Sequence, residues 1–225
     1  MPARVTRNAK RPWAARAALA LLLGLASGPW VRADAPAGRI LMFFGDSLTA
    51  GYGLADPGTQ SFPAQVQRRI DAERMPWLVI NAGLSGETSA GGLRRVDWIL
   101  GQKPDVFVLE LGANDGLRGI PPEVTRANLQ AIIDRVRSRN PEAAIVLAGM
   151  RMPASMGPEF EQAFAAVYPG LAKMNRLTLI PFLLDGVAGR TELNQADGIH
   201  PTALGASLVA DSVWRSIQPI LINFH

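Results

Sequence analysis

The chain has 225 residues, with 23 Lys+Arg against 19 Asp+Glu, two histidines and no cysteine. Without cysteine there can be no disulfide, no thiolate zinc site and no cysteine nucleophile. With His225 at the chain end, His200 is left as the single internal imidazole, too few for a histidine-built metal cluster.

Residues 1–33 read as a cleaved signal peptide. Arg4, Arg7, Lys10, Arg11 and Arg16 precede a run of apolar or small residues over 17–27, and Val31-Arg32-Ala33 puts small residues where a signal peptidase cuts. The apolar run is well short of the ~20 residues that a spanning helix needs. No cysteine is present to carry a lipid. The expectation is therefore a periplasmic or secreted chain of residues 34–225, one domain, with no stable membrane anchor. Six bases leave with the signal, so seventeen bases face nineteen acids and the net charge becomes −2. The pI of about 10.1 for the whole chain thus reflects the leader, and no basic run interleaved with aromatics points to nucleic acid.

Within 34–225 the β-rich runs fall at 40–44, 78–81, 106–111, 144–149 and 177–182. Helical patterns occupy 61–73, 88–101, 122–139, 158–175 and 202–217. Most of the runs are continuously apolar, as strands buried on both faces of a parallel sheet are. Strand alternating with helix predicts a doubly wound α/β fold. In such sheets ligands bind beyond the carboxyl ends of the strands, and glycine and polar residues concentrate in the segments 45–53, 82–88 and 112–120.

Residues in these segments, together with a pair near the C-terminus, suggest acyl-transfer chemistry. Asp197 stands three residues before His200, across Gly198, so its carboxylate can fold back onto Nδ1 and leave Nε2 free to take a proton. Gly45-Asp46-Ser47 puts a hydroxyl just past the first strand. Thr49 stands where a second glycine would complete G-x-S-x-G, so the α/β-hydrolase elbow is not the template. An oxyanion would be met by the N–H groups of Ser47 and Gly83 and by the Asn114 side chain. Asp46 reads as a partner of local backbone, and Glu110 and Asp115 as supporting groups. Each feature has a structural explanation taken singly; their order at successive strand ends is what favours a site.

Together, Gly45-Asp46-Ser47, Gly83, Gly112-x-Asn114-Asp115 and Asp197-x-x-His200 resemble the four blocks of the SGNH (GDSL) hydrolase family. The segments 114–119, 151–154, 166–169 and 197–201 resemble its bacterial thioesterase and lysophospholipase members. The resemblance implies a three-layer α/β/α sandwich on a five-stranded parallel, flavodoxin-like sheet, with no cofactor. It implies a periplasmic enzyme acting on acyl thioesters, aryl esters and lysophospholipids through Ser47, His200 and Asp197. The loop 117–122 is expected to close over the acyl chain with Leu117 and Ile120 flanking Gly119, and the resemblance adds Met152 and Pro153 to the substrate contacts. A monomer is expected. Two other readings stay open: a carbohydrate deacetylase of the same family, and a non-catalytic flavodoxin-like binder using 48–52 as a phosphate loop, which would leave His200 and Asn114 idle.

Overall fold

The computed structural model describes residues 38–224; residues 1–33, expected to be a signal peptide, lie outside them. In chain order the elements are β1 (Arg39–Gly45), α1 (Ser47–Ala50), α2 (Pro57–Gln60), α3 (Phe62–Ala72), β2 (Trp77–Gly83), α4 (Ser89–Ile99) and β3 (Val106–Glu110). There follow α5 (Ala113–Leu117), α6 (Pro122–Arg139), β4 (Ala144–Ala148), α7 (Pro158–Ala165), α8 (Val167–Asn175), β5 (Thr178–Ile180) and α9 (Ala203–Ile222). All five strands are parallel in the order β2-β1-β3-β4-β5. This is the flavodoxin-like sheet expected. α3 packs with α9, and α6 packs with both α4 and α8, the two helical layers of the sandwich.

The central strands carry the core. Leu41–Phe44 on β1 and Val106–Leu109 on β3 are all but inaccessible, which their unbroken apolar runs require of strands covered on both faces. Phe43 packs edge-on to Phe62 of α3, and Phe44 against Phe107. Strand order reverses between β1 and β3, so the crevice of this sheet type opens above these two strands.

Three expectations are corrected. β5 has three residues, not six: the Leu177 N–H is still held by the Ala172 carbonyl of the preceding helix, and after Ile180 the Gly149 carbonyl takes the N–H of Leu183, so the ladder leaves register through Pro181 and Phe182. The helix expected over 158–175 is two helices parted at Ala166, since Pro169 cannot donate to the carbonyl of residue 165. α9 runs five residues beyond 217, because Ile217 and Leu221 prolong the buried stripe begun by Ala206, Val209, Ala210 and Val213. The short helices α1, α2 and α5 were not anticipated. Asp46 accepts from the Leu48 N–H at 3.0 Å and Asp56 from the Gly58 N–H at 3.1 Å, so the side chains before α1 and α2 act as their caps.

Candidate active site

Ser47 opens α1 directly beyond β1, and Asn114 lies in α5 directly beyond β3, so the two central strands present them side by side. His200 arrives from a loop 153 residues further on. Its Nε2 lies 2.8 Å from Ser47 Oγ, and its Nδ1 lies 2.6 Å from Asp197 Oδ2. The carboxylate fixes the tautomer: Nδ1–H donates to Asp197, and Nε2 accepts from the Ser47 hydroxyl. Asp197 Oδ1 also accepts the backbone N–H of Ile199 and of His200. Those bonds, led by the one from the His200 N–H, hold the Asp197 carboxyl down at about 2 although it is exposed. The Tyr52 ring lies against the imidazole at 4.7 Å between centroids.

Beneath Ser47 the polar groups are buried. Glu110, at the end of β3, is fully inaccessible; its Oε2 takes the Thr49 hydroxyl at 2.6 Å and the Asp46 N–H at 3.1 Å. Burial first, and then the facing Asp46 carboxylate, pushes Glu110 well above the usual carboxylate range. Burial likewise raises Asp46 to about 6, against hydrogen bonds from Leu48 and Asn114 that favour its ionised form. The expected local role of Asp46 is seen in its cap of α1, and Glu110 supports that same turn.

The oxyanion set is partly corrected. The Gly83 N–H is taken by Asn81 Oδ1 at 2.9 Å, and Gly83 does not line the cleft. Its missing side chain serves packing instead: a Cβ there would overlap the backbone of Thr49 and Ala50. The glycine facing Ser47 and Asn114 across the cleft is Gly86, at φ +79°, whose N–H has no hydrogen-bond acceptor among the described residues. Ser85-Gly86 was the available signal, a polar turn with the second glycine of the 82–88 segment. Asn114 is in the cleft as expected, and its Nδ2 is shared between Asp46 Oδ2 at 3.2 Å and the Glu87 carbonyl at 3.1 Å. Glu87 is itself clamped by Arg95, which also donates to the Ala82 carbonyl, so the Gly86–Glu87 turn is tied to the end of β2.

Two connected cavities meet at this point. One, of about 430 Å³, exposes Ser47, Gly86, Asn114 and His200. The other, of about 450 Å³, runs past Met150, Met152, Pro153, Phe182 and Leu184. Leu48, Ala113, Leu117 and Ile199 line both, so the second opens off the first. Met152 is buried with its sulfur under Gly116, and Pro153 lies at the surface; both line the apolar arm. Leu117 sits where the arms join. Ile120 lines neither: its N–H turns back to the Asp115 carbonyl at 3.0 Å, closing the α5 turn, and the residue is half-buried. No cluster of metal-ligating side chains occurs among the described residues.

A hydroxyl, an imidazole and a carboxylate in line, beside N–H donors and an apolar arm on a flavodoxin-like sheet, define a serine-hydrolase type of site. The chain belongs to the GDSL-like lipase/acylhydrolase family, whose pattern matches residues 43–208. It is 38% identical over 186 residues to esterase TesA of Pseudomonas aeruginosa, covering 82% of this chain and 90% of that one. It is 36% identical over 188 residues to the thioesterase 1/protease 1/lysophospholipase L1 of Escherichia coli, covering 83% and 87%. Among solved structures it resembles the psychrotrophic esterase EstA from a Pseudoalteromonas species, inhibited by monoethylphosphonate, with a TM-score of 0.76 and 33% identity over 82% of this chain and all of that one.

Proposed function

We propose that this chain is an exported serine esterase and thioesterase that hydrolyses acyl esters, aryl esters and lysophospholipids through an acyl-enzyme on Ser47. The observation that carries the reading is the line Ser47 Oγ–His200 Nε2 at 2.8 Å and His200 Nδ1–Asp197 Oδ2 at 2.6 Å, opening on an apolar arm. His200 takes the proton of Ser47 as Oγ attacks the acyl carbonyl. The oxyanion meets the N–H groups of Ser47 and Gly86, with Asn114 exchanging one of its resting partners for it. The carbon–oxygen or carbon–sulfur bond then breaks, and His200 Nε2–H protonates the leaving alcohol or thiol. Water repeats the cycle: its proton passes to His200, the acid departs, and Ser47 recovers its hydrogen.

Asp46 argues against the phosphate-binding alternative. Its carboxylate caps α1, at the position where a flavodoxin-like loop would receive a phosphate, and would repel one. The test is hydrolysis of a chain-length series of p-nitrophenyl esters and acyl-CoAs by the wild type and Ser47→Ala. Loss of a triad serine costs on the order of 10⁶ in kcat. The variant should fold and be inactive, and a phosphonate probe should label Ser47 alone. A variant keeping a tenth of the rate, or a label on another serine, would overturn the mechanism.

A further inference from the structure

Among the described residues, two hydrogen bonds join the loop that carries His200 to the segment that carries Ser47. One is the His200–Ser47 bond itself. The other is donated by Gln195 Nε2 to the Tyr52 carbonyl at 2.8 Å. The same Nε2 donates its second hydrogen to the Pro201 carbonyl at 3.0 Å. The Gln195 backbone N–H meets the His200 carbonyl at 2.7 Å, and its carbonyl receives the Gly198 N–H at 2.9 Å. This one residue therefore closes the Asp197–His200 turn from inside and ties it across to the turn that follows α1. The base of the loop is fixed separately by the Asn194–Pro201 bridge and by Asn194 Nδ2 to the carbonyls of Val187 and Arg190, while residues 196–199 are exposed. Gly53 makes the crossing possible: a Cβ there would overlap the Gln195 amide.

We propose that Gln195 is a positioning residue that holds His200 in register over Ser47 in the acyl-enzyme, when the Ser47–His200 hydrogen bond is absent. The inference rests on the triad reading above. Before acylation the hydroxyl donates to Nε2 and the two groups hold each other. Once Oγ is esterified it has no proton to give. His200 must then receive a proton from the water that attacks the acyl carbonyl, and return it to Oγ as the carbonyl–Oγ bond breaks. At that stage Asp197 still orients the ring, but from within the same loop. What spans the gap is Gln195 to Tyr52, with the Tyr52 ring packed on the imidazole. Acylation is guarded by its own reactants; deacylation depends on the tether.

The experiment is stopped-flow release of p-nitrophenol from a short-chain ester by the purified wild type, Gln195→Ala and Gln195→Met. Methionine fills the same slot with no donor. Both variants are expected to give a burst of about one equivalent followed by slow turnover, the signature of an accumulating acyl-enzyme. A neutral hydrogen bond or two is worth roughly tenfold, so kcat should fall about tenfold, while KM falls with it and kcat/KM stays within about threefold. Gly53→Ala, which displaces the amide without changing it, should behave alike, and it carries the test if the alanine at 195 prevents folding. Equal losses in kcat and kcat/KM without a burst, or no change in either, would overturn the proposal. A wild type that turns over with Ser47 unlabelled would instead overturn the triad reading on which it rests.

Discussion

Asp46 is tightly bound into the site, and its own ionisation is set against the fold. Its carboxylate serves two donors, the Leu48 N–H and the Asn114 amide, yet burial raises it to about 6. A carboxyl raised by folding contributes no penalty while both states are protonated, near and below the ordinary value of 3.8. The penalty grows as pH climbs toward 6 and is complete above it. Asp46→Asn removes that ionisation. Its stability relative to wild type should therefore improve between pH 4 and pH 6, by an order of magnitude of 2–3 kcal/mol, and stay level above. Thermal melts across this range test it, and a difference independent of pH would show that Asp46 does not titrate there. Activity should move the other way, because an amide at 46 meets Asn114 with a second donor. The loss should approach the ~10²-fold of a missing oxyanion contact. The carboxylate is thus costly for folding and useful for the reaction, as active-site residues often are.

At the scale of elements, α5 and the turn after it divide two jobs that adjacent residues might be thought to share. Gly112, at φ +117°, turns the chain from β3 into α5, and a Cβ there would overlap the Tyr168 hydroxyl, which donates to the Leu111 carbonyl at 3.0 Å. The turn then delivers Leu117 to the junction of the two cavities and sends Ile120 elsewhere. Arg118 reaches back to the Gly86 carbonyl at 3.0 Å, so this turn and the Gly86 turn are joined across the cleft mouth. A buried CH₂ is worth roughly 0.8 kcal/mol, about fourfold. Leu117→Ser should therefore depress kcat/KM for long-chain p-nitrophenyl esters several-fold more than for acetyl esters. Ile120→Ser should lower all chain lengths alike, or alter only the melting temperature. Equal behaviour of the two variants would mean that the loop selects no chain.

For the whole molecule, charge and address go together. Among the described residues no helix is long and apolar enough to cross a membrane. The six bases of residues 1–33 account for the positive balance of the full chain, and removing them leaves a weakly acidic domain. Export with cleavage after Ala33 predicts a first residue of Asp34 on protein recovered from its host. N-terminal sequencing decides this, and an intact Met1 in the membrane fraction would refute it.

What the residues alone determined was whatever short-range chemistry specifies. The continuous apolar runs of β1, β3 and β4 are those of strands covered on both faces, and even the partly exposed edge strands β2 and β5 keep enough of the pattern that all five could be read. A carboxylate three residues before an imidazole, across a glycine, can fold back onto it, so Asp197 and His200 could be paired as candidates, and a serine just beyond β1 stands at the carboxyl end of the sheet whatever follows. What tertiary structure decided was the direction in which groups point once segments far apart in sequence meet. Gly83 and Gly86 look alike as glycines after a strand. Only the approach of α1 shows that the first makes room for backbone, leaving the second to face the cleft. Leu117 and Ile120 look alike as apolar loop residues until the Asp115 carbonyl captures the Ile120 N–H. Gln195 carries no motif, and its part is visible only because folding brings Tyr52, 143 residues away, within 2.8 Å of its amide. A side chain's chemistry is written in its identity, but its partner is chosen by packing, which no local pattern encodes.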